Sequence, residues 1–177
     1  MRQVLVTIIC CMFIITAGCG QGTQEPAQAP EAAPDYDAIR AQLEKDQYAY
    51  AEAWNNKDIE AIGRIWSHDS DITIWGPAVR KRVEGWEGPN GVKAWYEAAM
   101  GSMDTVDFKI HDLLIKVGRD GKSAVVTYYV ENDFVDKDGN AGKMTPRVTV
   151  VKEIQNGEWR QIHGDASYSI EYMQNMK

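Results

Sequence analysis

Arg147-Val148-Thr149-Val150-Val151-Lys152, then Asn156-Gly157, then Trp159-Arg160-Gln161-Ile162-His163-Gly164-Asp165-Ala166-Ser167 is the stretch that decides the fold. Two β-prone runs flank an Asn-Gly pair, the dipeptide that most readily takes the left-handed angles of a two-residue hairpin turn. Simple alternation puts Trp159, Gln161, His163, Asp165 and Ser167 on one side of the second strand. Arg160, Ile162, Gly164, Ala166 and Tyr168 fall on the other. The first set carries groups that exchange protons and hydrogen bonds; the second is small and partly apolar. Which set meets the interior stays open, because one residue of register exchanges the two.

Outward from the hairpin, towards the N-terminus, the period stays at two. Val106, Phe108 and Ile110 alternate with polar residues, and Leu113, Ile115 and Val117 continue on the opposite parity. The slip around Asp112 predicts a β-bulge. Asp120-Gly121 and Asp138-Gly139-Asn140 turn the chain into further strands, Ser123 to Phe134 and Met144 to Ile154. Pro146 inside the latter implies an edge or bulged position.

Before Met100 the period is mainly helical. Ile39, Leu43, Tyr50 and Trp54 make one stripe from Tyr36 to Trp54, and Asp58 caps a shorter helix reaching Trp66. Short strands are expected at Ile72 to Trp75 and Val83 to Trp86, and a third helix from Val92 to Met100. Three helices followed by a four-stranded meander predict an α+β fold, with helices on one face of a curved, mainly antiparallel sheet.

The N-terminus reads differently. Residues 1–18 are expected to be a signal peptide: Arg2 precedes an uncharged apolar run from Val4 to Ala17, too short to span a bilayer. Thr16-Ala17-Gly18-Cys19 resembles a bacterial lipobox, which implies cleavage before Cys19 and lipidation of its thiol. An ordinary cleaved signal or an uncleaved anchor are the alternatives. Gly20 after the cysteine implies, by the same resemblance, delivery to the outer membrane facing the periplasm. Residues 19–35 are a Pro-, Ala- and Gln-rich tether, 36–172 the domain and 173–177 a tail. With Cys10 and Cys11 removed and Cys19 lipidated, the domain has no thiol for a disulfide, a nucleophile or a metal.

The formal charge is −7, and no basic cluster offsets it, which argues against a nucleic-acid partner. Scattered His68, His111 and His163 give no metal-ligand spacing, and Asp136 to Asn140 lacks the spacing of a calcium loop. No metal site and no cofactor are expected.

Three stretches carry a family resemblance. Ala51-Glu52-Ala53-Trp54-Asn55-Asn56-Lys57-Asp58-Ile59-Glu60-Ala61-Ile62 is a helix-turn-helix opening; Glu84-Gly85-Trp86-Glu87-Gly88 with Gly91-Val92-Lys93-Ala94-Trp95-Tyr96 leads into a helix. Arg147-x-Thr149-x-Val151 with Gly157-x-Trp159-x-x-Ile162-His163 closes the domain. Together and in order they resemble the SnoaL-like and ketosteroid-isomerase-like members of the nuclear-transport-factor-2-like superfamily. The resemblance implies a cone: three N-terminal helices packed on a strongly curved sheet. It also implies a homodimer through the sheet face. The superfamily includes isomerases, cyclases, dehydratases and assembly modules such as the calcium/calmodulin-dependent kinase association domain, so fold does not fix function. Ketosteroid isomerases place a carboxylate base where this chain has Ile74 and Trp75, and no acid stands there. Tyr50 falls near their oxyanion-binding tyrosine.

Two sets of site candidates follow. His163, Asp165 and Arg147 are a candidate catalytic trio: a proton carrier, its polarising carboxylate and a cation for an anionic substrate group. Tyr50, Trp54, Trp75, Trp86, Trp95, Tyr96 and Tyr128 are candidate walls of an apolar ligand pocket. The leading expectation is a lipid-anchored binder of an apolar, oxygenated small molecule, with acid/base activity open. Against it stands a non-enzymatic homodimeric binding or assembly module.

Overall fold

The computed structural model describes residues 33–77 and 81–169. The expected signal, Cys19, most of the tether and the tail lie outside the described residues.

Helix α1 spans Tyr36–Asn55, and the Asp35 carboxylate accepts from the Ala38 amide at its start (3.0 Å). Its buried residues Leu43, Gln47, Tyr50, Ala51 and Trp54 recur at helical spacing, so one stripe faces inward. Lys57, at φ 52°, turns the chain, and Asp58 caps α2 (Ile59–Ile65) by accepting from the Ala61 amide at 2.9 Å. Helix α3 spans Val92–Gly101.

The strands are β1 (Thr73–Trp75), β2 (Val83–Glu84), β3 (Met103–Val117), β4 (Ser123–Asp136), β5 (Ala141–Met144), β6 (Arg147–Gln155) and β7 (Glu158–Ser167). They form one sheet in the order β2-β1-β7-β6-β4-β3, with β5 paired to β4 off that path. Only β1 against β7 is parallel. The expectation of a strongly curved, cone-like sheet is corrected here. The ladder is open, with β2 and β3 at opposite ends and no pairing between them. Strands of three and two residues at the β1–β2 end are too short to carry the sheet round to β3. The run Met144 to Ile154 is also two strands rather than one. Pro146 has no amide to donate, and the ladder restarts at Arg147, while its carbonyl accepts from Val130 (3.0 Å).

Two register shifts matter. Asp112, at φ 51°, sits in the shift between His111 and Leu114, where the sequence phase slips. In the closing hairpin, Asn156 and Gly157 (φ 53° and 84°) make the primed turn that the dipeptide favours. Further along, Val151 pairs with His163 but Lys152 pairs with Gln161, leaving Ile162 as the extra residue of a bulge. Simple alternation therefore fails inside β7. Gln161 faces the helices with its partner Lys152; beyond the bulge it is Gly164 and Ala166, paired with Val150 and Val148, that face inward.

Packing fixes α1 on β3 through an aromatic stack and an amide bracket. The Trp54 and Phe108 rings lie parallel at 5.5 Å, a contact worth about 0.5–1.5 kcal/mol beyond area burial. Next to them, Asn55 Oδ1 accepts from the Phe108 amide (2.6 Å) and Asn55 Nδ2 donates to the Phe108 carbonyl (3.1 Å). The helix end thus stands in for a ladder partner at that residue.

Candidate functional site

Between the helices and the inward side of β4, β6 and β7 lies a cavity of about 260 Å³. Its wall is mostly aromatic and aliphatic: Tyr50 and Trp54 from α1, Trp95 and Tyr96 from α3, Phe108, Tyr128, Val130, Val148 and Val150 from the sheet. Six of the seven aromatic residues expected to line a pocket do so. Trp86 is the exception. It lies under the His68 ring, stacked at 4.8 Å, and borders a different depression with Glu60 and Asp69.

The polar groups in this wall come in two kinds. Some are bonded to each other: Tyr50 Oη and Tyr96 Oη are 2.9 Å apart, and Trp66 Nε1 donates to Tyr96 Oη at 3.1 Å. When Tyr96 donates to Tyr50, the Tyr50 hydrogen is free for a further acceptor. Others have no partner among the described residues: Trp54 Nε1, Asn132 Oδ1 and Gln161 Oε1 are buried and unbonded, and all three residues line the cavity. Each unpaired buried group costs about 1–3 kcal/mol, so this wall is costly unless something occupies it. Sequence reading missed Asn132 and Gln161. Asn132 had a usable signal, since it is the one polar residue in the inward series Ala124, Val126, Tyr128, Val130, Asn132. Gln161 had none, because the bulge hides its parity.

The candidate trio does not converge on this cavity. By register, His163, Asp165 and Arg147 share the sheet face turned away from the helices. His163 Nδ1 is bonded to Thr73 Oγ1 (2.7 Å) across the parallel β1–β7 pairing. Arg147 is exposed and borders a surface depression with Asp112, Tyr129 and Ser167. Asp165, opposite Trp75, is the member that also borders the cavity, and among the described residues it is the only acidic residue in the lining. Ile74 and Trp75, where the family resemblance implies a carboxylate base, both line the cavity. Among the described residues no three His, Cys, Asp or Glu side chains group to hold a metal.

Comparison with known proteins fits this geometry. Residues 48–162 match the family model for the SnoaL-like domain, and the chain belongs to that family. A nuclear transport factor 2-like superfamily protein from Salmonella enterica is similar in structure at 20% identity, with a TM-score of 0.66 over 74% of this chain and 91% of that one. A nuclear transport factor 2-like protein of unknown function from Pseudomonas putida gives 0.63 at 19% identity, over 80% and 94%. The association domain of Caenorhabditis elegans calcium/calmodulin-dependent protein kinase II gives 0.58 at 18%, over 75% and 97%. At these identities the likeness is one of fold. No curated protein is significantly similar to the chain in sequence.

Burial raises the Tyr50 phenol above its ordinary value and pushes Tyr96 and Tyr128 well above theirs, with a Tyr50 phenolate adding repulsion to both. All three therefore act near neutral pH as hydrogen-bond donors, not bases. A neutral phenol is favoured by folding, so this contribution is intact below about pH 10, the unfolded value, and is lost as pH rises past it. Absorbance at 295 nm should show the three buried phenols ionising only together with alkaline unfolding; reversible ionisation of all eight tyrosines in a folded protein near pH 10 would contradict it.

Proposed function

We propose that the domain binds a small, largely apolar molecule carrying one hydroxyl or carbonyl group in the cavity between the helices and the sheet. The observation that carries this reading is the pairing of an aromatic wall with the unbonded polar atoms of Trp54, Asn132 and Gln161. One N–H donor and two amide oxygens in the wall are what a ligand with one acceptor and one or two donors, such as a hydroxyl group, would complete. A volume of about 260 Å³ is just under the usual range for drug-sized ligands and suits a compact bicyclic molecule.

An acid/base step would rest on Asp165, which the register sets on the outer face of β7 but which borders the cavity at its edge, beside Trp75. Its carboxylate would take a proton from carbon next to a ligand carbonyl and return it, while the Tyr50 hydroxyl donates to the carbonyl oxygen. His163, its neighbour but one on β7, and Arg147, on β6, would flank it from the outer face. The second reading is a non-enzymatic homodimeric module. It is favoured by Leu114, Val125 and Tyr129, which are 52%, 42% and 47% exposed on the outer face of β3 and β4.

One titration series separates these. 2-Naphthol should quench tryptophan fluorescence with a Kd on the order of 100 µM or tighter, weakened about tenfold by Tyr50→Phe and abolished by the cavity-filling Ala99→Trp. In deuterated buffer the wild type should exchange the α-hydrogens of 2-tetralone faster than Asp165→Asn does. Binding without enzyme-dependent exchange removes the acid/base step. No binding by a protein that sediments as a dimer favours the assembly module.

Export and lipid attachment at Cys19 complete the proposal, supported by the Thr16-Ala17-Gly18-Cys19 run. In a bacterial host the full chain should fractionate with membranes and Cys19→Ser should not. Retention of that variant in the membrane fraction would replace lipidation with an uncleaved anchor.

A further inference from the structure

Lys152 is the one fully buried lysine among the described residues, and its Nζ has no hydrogen-bond partner. It projects from β6 towards the helices, beside Gln161, and takes part in a groove separate from the apolar cavity. That groove lies between α1, α2 and the β6–β7 hairpin, and its charged residues are Asp46, Arg64, Lys152, Glu158 and Arg160, with Trp159 beside them. Arg160 is committed elsewhere: it donates to the Arg64 carbonyl and pairs with Glu158. Three cations against two carboxylates leave the lining one positive charge, and Lys152 is its buried member, with no group bonded to its Nζ among the described residues.

Burial pulls the Lys152 ammonium down to about 8, and Asp46 partly opposes the shift. At pH 7 roughly nine in ten copies are still charged. An isolated charge in that position is unfavourable unless a counter-ion joins it. Asp46 and Glu158 already supply negative charge, so a monoanion fits the lining better than a dianion. Trp159 offers a flat apolar wall for whatever the anion is attached to.

We propose that this groove is a second ligand site, which takes a small carboxylate with a flat apolar body and holds its carboxylate on Lys152 Nζ. The site is independent of the cavity bounded by Tyr50 and Trp95. It also accounts for a lysine that hydrophobic packing alone would exclude.

Benzoate is the probe, with acetate and inorganic phosphate as controls. In the wild type, NMR of ε-¹³C-labelled lysine should show Lys152 titrating near 8, and saturating benzoate should raise that midpoint by at least one unit. Benzoate affinity should correspondingly fall about five- to tenfold as pH rises from about 7 to about 9, since only the ammonium holds the anion. Asp46, Arg64, Glu158 and Arg160 face the same groove. Lys152→Met should lose benzoate binding at least tenfold and melt at a higher temperature, because an apolar side chain replaces an unpaired charge. Acetate should bind more weakly than benzoate, and phosphate more weakly still. Equal benzoate affinity in Lys152→Met overturns the proposal. So does a Lys152 midpoint unmoved by benzoate, which places the probe in the apolar cavity or nowhere, and the wild-type reading holds even if the variant misfolds. Phosphate binding more tightly than benzoate overturns the carboxylate class. Loss of 2-naphthol binding in Ala99→Trp leaves the benzoate result untouched, so the two sites stand or fall separately.

Discussion

One extra residue, Ile162, sets what each face of the closing hairpin offers. Without it, β7 would alternate strictly, and Gln161, His163 and Asp165 would share a side. With it, Val151 pairs with His163 and Lys152 with Gln161. The strand presents Gln161 inward, packs Ile162 against the core, and then turns His163 outward, with Asp165 on the same side at the cavity's edge, while Gly164 and Ala166 line the cavity. The small residues matter because they leave room. Gly164 lies where an added Cβ would stand 3.2 Å from Gln161 Nε2 and 3.4 Å from Trp66, so bulk there would press on the cavity floor. A bulge is a local change in pairing, yet here it decides which chemistry faces the interior.

The interior that results is unusual in its polar content rather than in its aromatic content. A folded domain ordinarily satisfies its buried donors and acceptors, with few exceptions. Here Gln47, Trp54, Asn132, Lys152 and Gln161 all carry buried atoms without partners. Four of these five fall in two places: Trp54, Asn132 and Gln161 border the apolar cavity, and Lys152 borders the groove under the hairpin. The bonded chain Trp66–Tyr96–Tyr50 shows that the same core does satisfy polar groups where packing alone governs. The contrast is what makes the unbonded atoms informative about ligands.

Much of the fold was readable because it rests on local rules. Periodicity places all three helices within a residue or two of their observed ends, Asp58 caps α2 as its position predicts, and Asp112 marks a real bulge. The sheet's overall shape was not readable. Curvature and closure depend on how short edge strands such as Val83–Glu84 pair across the whole molecule, and the superfamily likeness led to a strongly curved cone where the ladder is open. The aromatic wall was legible because large residues at helical spacing seldom face solvent. The polar part of the site was not, since Gln161 and His163 exchange roles through a bulge that no residue type in β7 signals. Asp112 announces its bulge by a phase change in apolar residues; Ile162 sits in a run where both parities are mixed.

The most direct test of this account is the pairing across the closing hairpin, read by nuclear Overhauser effects in the mature domain. The bulge predicts cross-strand contacts from Val151 to His163 and from Lys152 to Gln161, with Ile162 lacking a partner of its own. A continuous register, with Lys152 opposite Ile162 and no break through Glu158, would return Gln161 and His163 to one face and contradict the account.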